Sequence, residues 1–287
     1  MRVKLWGDRG SIPVPGNDTK KYGGNTASLE VEFDADHRFF IDAGTGIRDL
    51  GNQLVKEGYD KEINLFISHT HWDHIIGFPF FTPIYFPGKK INIYGPVHYE
   101  KRLQDIFAIL MDYSYFPISA AQLSAEVKYI DLKETSFELN GVKITTKYLN
   151  HPVLNLGYRF EYEGKVFVYT GDHEKYYNVF GDNLPEEEAE DLSETIQIQN
   201  DSVVEFVNGA DIFVADTTYT DEEYTVHIGW GHSSVGQTIE LCKNANVKLG
   251  ILTHHDPAHS DALVDELAEK YESDSIKFAV EKKDYYA

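Results

Sequence analysis

The segment Ser68-His69-Thr70-His71-Trp72-Asp73-His74 constrains the fold more than any other stretch of this 287-residue chain. It follows directly on Ile63-Asn64-Leu65-Phe66-Ile67, a short, mostly apolar run that reads as a buried strand. A polar cluster where a buried strand ends occupies the usual ligand position of a layered α/β fold. In an extended segment His69 and His71 project to one side and can hold one metal ion. A turn after His71 would redirect Asp73 and His74 toward a second ion. Imidazole combined with carboxylate suits zinc, and also manganese or iron. The bland alternative is a histidine-rich polar turn, but four potential ligands in six residues are hard to explain as caps or surface groups.

Composition narrows the setting. Hydrophobic residues make up 42% and charged residues 25%, as in an ordinary soluble globular protein. At this length one domain spanning 1–287 is expected, since sandwich folds reach this size. No apolar run approaches a membrane span. The opening Met1-Arg2-Val3-Lys4-Leu5-Trp6-Gly7-Asp8 does not read as a signal peptide. Cys242 is the only cysteine, so a disulfide framework is excluded, and a cytoplasmic setting is the simplest expectation. The formal net charge is −21, from 26 basic and 47 acidic residues. Such a surface repels polyanions, and no basic stripe is visible, so a long nucleic acid is not the expected partner.

Along the chain, Arg2 to Trp6 and Leu29 to Phe33 read as strands around a Gly/Pro-rich loop at Gly7 to Gly16. Backbone amides of such a loop can approach a ligand closely, and a plain connection is an equal reading. Arg38-Phe39-Phe40-Ile41 is a strand running into Asp42-Ala43-Gly44-Thr45-Gly46, with a helix after it through Ile47, Leu50, Leu54 and Val55. The aromatic segment Phe78 to Phe86 reads either as core packing or as a wall on which a nucleobase could stack. Tyr99 to Met111 has helical periodicity. Further strands precede His151 and Asp172, the latter after a hairpin through Glu163-Gly164. The polar segment 174–200 is expected as an exposed acidic insertion, partly helical or mobile, with Asp201 capping a short helix after it. Ile212 to Asp216 is a buried strand ending in an acid. Ser233 or Ser234 is a reasonable helix N-cap after His232. Val247 to Leu252 is a strand that leads to Thr253-His254-His255.

The His69-x-His71-x-Asp73-His74 motif resembles the signature of the metallo-β-lactamase superfamily. That resemblance implies an α/β fold, an αββα sandwich of two mixed sheets between helical layers. It also implies a ligand order that the chain supplies in full: His69 and His71, Asp73 and His74, then His151, then Asp172 bridging two ions, then His254, with His255 as the alternative. Asp42 matches an aspartate that positions the metal loops. The cofactors implied are two divalent ions, zinc foremost. The stretch from Ala210 to His254 resembles ribonuclease Z and related phosphodiesterases. There a histidine, here His232, acts on the scissile phosphate and is oriented by an acid, here Asp216. Two departures weigh against tRNA processing: no long basic arm is present, and Asp216 stands in a Thr-Thr context.

The expectation is therefore a dimetal hydrolase of a small phosphodiester such as a cyclic nucleotide. Asp73, His232 and Asp216 are its catalytic residues. Carboxyl-ester or thioester hydrolysis of the lactonase or glyoxalase-II type is the rival, and tRNA processing a third reading. A metal-stabilised binding protein fits less well, because three protein ligands per ion leave open positions. Relatives of this kind are often homodimers.

Overall fold

Ile212-Phe213-Val214-Ala215 is apolar at every position, so a strand built from it needs cover on both faces. The computed structural model describes residues 1–97, 101–180 and 185–287. In it Ile212 and Val214 enter one buried cluster while Phe213 and Ala215 enter another on the opposite face. Phe39 and Ile41 are divided in the same way from Phe40.

Two seven-stranded sheets result. The first contains β1 (Arg2–Gly7), β2 (Ser28–Glu32), β3 (Arg38–Ile41), β4 (Ile63–Phe66), β5 (Lys90–Pro96) and β6 (Glu126–Leu132). The second contains β7 (Ser136–Leu139), β8 (Val142–Leu149), β9 (Asn155–Tyr162), β10 (Lys165–Tyr169), β11 (Ile212–Asp216), β12 (Gly250–Thr253) and β13 (Ile276–Phe278). β14 (Asp284–Tyr286) returns to the first sheet beside β1. In each sheet an antiparallel part gives way to a parallel part, β3 to β6 in one and β10 to β13 in the other. Val3, Val31, Phe39 and Phe66 meet Ile144, Tyr158, Phe160 and Val214 between the sheets. Truncating a phenylalanine buried in this way typically costs about 3–5 kcal/mol.

The helices are α1 (Ile47–Glu57), α2 (Trp72–Ile75), α3 (Leu103–Leu110), α4 (Glu186–Val207), α5 (Asp221–Tyr224), α6 (Val235–Asn244) and α7 (Asp261–Tyr271). Leu50, Leu54, Leu103 and Phe107 cover the outer face of the first sheet, as do Phe206, Val235 and Val264 on the second. The expected αββα sandwich is the observed one. Among the described residues no helix is long and apolar enough to cross a membrane.

Local expectations fare unevenly. Ser234 caps α6 with a reciprocal Gln237 contact. The helix expected from Tyr99 starts at Leu103; Tyr99 lies outside the described residues. Asp201 caps nothing. It lies inside the 22-residue α4, which begins at Glu186 and absorbs much of the supposed acidic insertion. The other surprise in that segment is Glu174, which is 1% exposed. Positions 181–184 of it lie outside the described residues.

Parallel pairing positions the chemistry. Ile41 pairs with Phe66, so Asp42 and the histidine motif leave neighbouring strands at the same end. Asp216 pairs with Thr253, so the acid and His254 do likewise, with Asp172 following the adjacent β10.

Candidate metal centre

At this rim the chain turns sharply after β4. His71 stays extended as the N-cap of α2, and Asp73 and His74 ride on that single turn. The redirection expected from the motif is thus made by one turn of helix. Ligand atoms of His69, His71, His151 and Asp172 all lie within 4.8 Å of one another, and so do those of Asp73, His74, Asp172 and His254. Asp172 belongs to both groups with different oxygens. Its Oδ2 is 3.3 Å from His69 Nε2, and its Oδ1 is 3.2 Å from His74 Nε2 and 3.3 Å from His254 Nε2.

Outer partners set the ring tautomers so that Nε2 of four histidines carries a lone pair facing inward. His74 Nδ1–H donates to Asp42 Oδ2 at 2.8 Å, an oxygen that also accepts from Ser68 Oγ and Tyr169 Oη. His151 Nδ1–H donates to the Gly231 carbonyl at 2.9 Å. His69 Nδ1 faces Ser68 Oγ at 3.1 Å, and His254 Nδ1 faces Thr218 Oγ1 at 2.9 Å. His71 is the exception and presents Nδ1, 3.0 Å from His151 Nε2. Two ring nitrogens at that separation need a proton or a cation between them.

The donor set fits divalent ions. His69 Nε2, His74 Nε2 and Asp172 Oδ1 are buried without a hydrogen-bond partner, and all three face the same space. Burial, as the largest influence, would raise the Asp172 carboxyl. His254, His74 and His69 outweigh it and hold the group well below the usual carboxylate range. Burial lowers His69 well below the ordinary imidazole value and His151 to about 4, leaving both neutral as ligands require. Burial also opposes charge on His74, yet Asp172, Asp73 and Asp42 raise it well above the ordinary value. A field that strong favours positive charge at this place.

The Gly/Pro-rich loop after β1 closes one side. Ser11 N–H donates to Asp73 Oδ2 at 2.6 Å, and Gly10 lies so close to the His254 ring that a Cβ there would overlap it. The amide approach allowed for this loop is thus made to a candidate ligand. His255, the alternative last ligand, turns away and sets Nε2 3.3 Å from the Ala279 carbonyl.

His232 lies over the cluster, its ring stacked on His254 at 5.0 Å and edge-on to His151 at 5.3 Å. Its Nδ1 is 2.9 Å from Asp216 Oδ2. Asp216 is held by the His173 and Thr218 amides and by Thr218 Oγ1. Burial lowers the His232 pKa, but the Asp216 charge outweighs it and the value rises to about 9. The Asp216 charge thus favours the protonated ring, and with Nδ1 turned to Asp216 it is Nε2 that is left to face a substrate.

All seven candidate ligands and the His232–Asp216 pair therefore converge. Ser68, Tyr169, Thr218 and Glu174 were missing from the sequence reading.

An αββα sandwich that gathers this donor set on one rim is the architecture of a metallo-hydrolase. The family model for the beta-lactamase superfamily domain matches residues 37–255, and the chain belongs to that superfamily. Ribonuclease Z of Staphylococcus saprophyticus is 22% identical, with 88% of each chain covered. The metallo-beta-lactamase fold protein YhfI from Bacillus subtilis shares the fold with a TM-score of 0.69 at 18% identity, covering 99% of this chain and 98% of that one. A diphosphatase from the PhnP family does so with a TM-score of 0.68 at 18% identity, covering 100% and 97%.

Proposed function

We propose that this protein hydrolyses phosphodiester bonds, in a small substrate such as a cyclic nucleotide. The observation that carries this reading is the His232–Asp216 pair at 2.9 Å, set directly over the candidate metal cluster. Ester and thioester hydrolysis needs no second cationic donor there, whereas a dianionic phosphoryl transition state does.

His69, His71 and His151 would hold one ion, and Asp73, His74 and His254 the other, with Asp172 between them. Zinc is the expected metal, with manganese or iron the alternatives. Two such ions supply Lewis acidity for the phosphoryl oxygens and lower the pKa of a water. Asp73, fixed by the Ser11 amide, orients the attacking water and takes up its proton. His232 donates Nε2–H to the leaving oxygen, while Asp216 holds the ring in place and balances its charge.

The small-substrate reading is supported by the −21 charge and by a cavity of about 390 Å³ beside α2, lined by Trp72 and Ile76. Phe78 and Phe81 are core, as the bland reading had it, but Trp72 is 75% exposed, Phe80 56% and Tyr115 78%. These three line the cavity, which has no charged side chain among the described residues. Trp72 lies between His71 and Asp73 in the chain, so a planar base stacked on it is the contact that the small-substrate reading assigns to this cavity. Trp72→Ala is expected to raise KM about tenfold for a nucleotide diester, the order of one lost stacking contact, and to leave KM for an alkyl diester unchanged.

The resemblance to curated ribonucleases Z supports a second reading, cleavage of a tRNA precursor. Turnover of a cyclic nucleotide, bis(p-nitrophenyl) phosphate, an aryl ester, a thioester and a tRNA precursor by metal-loaded protein separates these readings. Faster cleavage of the precursor than of any small diester would overturn the small-substrate proposal. Ester or thioester turnover alone would overturn phosphodiester chemistry.

A further inference from the structure

Glu174 follows Asp172 by two residues, and its carboxylate is enclosed in the protein. Oε1 accepts the Gly229 amide and the Tyr224 hydroxyl, both at 2.8 Å, and Oε2 accepts the Gly231 amide at 2.9 Å. No cationic side chain pairs with it among the described residues, so its charge rests on these three donors. All three come from α5 and the loop between α5 and α6, the loop that carries His232. The Glu174 amide itself donates to the Asn150 carbonyl at 2.9 Å, next to His151.

Gly231 is the pivot. Its φ is +87°, in the left-handed region, and a Cβ there would overlap both the His151 ring and Pro152. Its amide is held by Glu174 and its carbonyl receives the His151 Nδ1–H. The next residue is His232. One buried carboxylate therefore ties the loop of the proton donor to the strand ends that carry Asp172 and His151.

We infer that Glu174 is a positioning residue for His232: it holds the 229–232 loop so that the imidazole lies over the cluster. Two amide bonds to a carboxylate specify the loop more tightly than neutral acceptors would, because charge-assisted bonds are shorter and stronger. Without them the loop keeps the His232–Asp216 contact and the bond from His151 to the Gly231 carbonyl, but the Gly229 and Gly231 amides lose the acceptor that fixes the turn before His232. The inference rests on the proposed role of His232 in phosphodiester cleavage.

The test compares two diesters of equal charge, one leaving as p-nitrophenolate and one as an alkoxide. Only the alkoxide needs a proton as it departs. Metal-loaded wild type, Glu174→Gln, Glu174→Ala, His232→Ala and the Glu174→Gln/His232→Ala double variant are measured, each with its bound metal determined. Glu174→Gln keeps the volume but can accept with only one oxygen, so it stands in if the alanine variant does not fold. The expected result is a fall in kcat of about 10–100-fold on the alkoxide diester. The p-nitrophenyl diester should lose far less, KM and metal content should hold, and the double variant should lose nothing beyond His232→Ala. An equal fall on both diesters, loss of metal, or additive losses in the double variant would overturn the inference and make Glu174 a support of the fold. If His232→Ala itself shows no preference between the diesters, the proton-donor reading fails and the inference falls with it.

Discussion

Asp172→Ala is expected to bind fewer than two divalent ions per chain and to lose diester turnover by more than about 100-fold, the upper end for a residue that only orients a ligand. The reason lies in how its two oxygens are used. Oδ2 faces His69, with His151 Nε2 at 3.8 Å, and Oδ1 faces His74 and His254. No other residue belongs to both ligand groups on the two sides of the cluster, and alanine would leave several buried rings without the anion that balances them. Asp42→Ala provides the contrast. It removes the partner of His74 Nδ1 but no inward-facing oxygen, so metal affinity should fall by about 10–100-fold with two ions still bound at saturation. Metal analysis after dialysis, paired with turnover, checks both. An Asp172→Ala protein that retains two tightly held ions would end the bridging assignment.

His232→Ala should lower kcat on a phosphodiester that departs as an alkoxide by about 10²–10⁴-fold, the range for a positioned proton donor, with metal content unchanged. Its Nδ1 is committed to Asp216, so only Nε2 can face the substrate. Its side chain is 13% exposed, enough for a leaving group to reach. Asp216→Asn tests the other half of the pair. It preserves volume but removes the charge that keeps the ring protonated, so it should approach the His232→Ala value. Near-normal turnover of the alkoxide diester in either variant would move the reaction to an ester or thioester.

The sequence reading reached the cluster because each candidate ligand sits just past a strand, and strand ends are visible as apolar runs. It also ordered His254 ahead of His255. The structure separates the two by a local bend, since His254 has φ +64° and its neighbour faces Phe278 instead. The extent of the α4 helix was missed because its first turn is acidic and its apolar positions before Val203, such as Ala189, Leu192 and Ile196, are thinly spaced among polar residues. Asp201 then looked like a beginning when it was only the polar side of a helix already under way. Glu174 was hidden for another reason. Its partners are amides more than fifty positions away, and nothing in a run of polar residues marks one carboxylate as buried.

The cluster draws on strand ends from both sheets, and its first and last histidines come from opposite ends of the chain order. Neither sheet alone contains it. A cation can be gripped by the full set only once β12 has docked beside β11 and Asp172 has met His69 across the sandwich. Tight metal uptake is therefore expected to mark the completion of folding, and a bound ion would add a latch to the hydrogen bonds, Tyr169 Oη to Asp42 and Tyr158 Oη to the Ile67 carbonyl, that already join the two sheets at this rim.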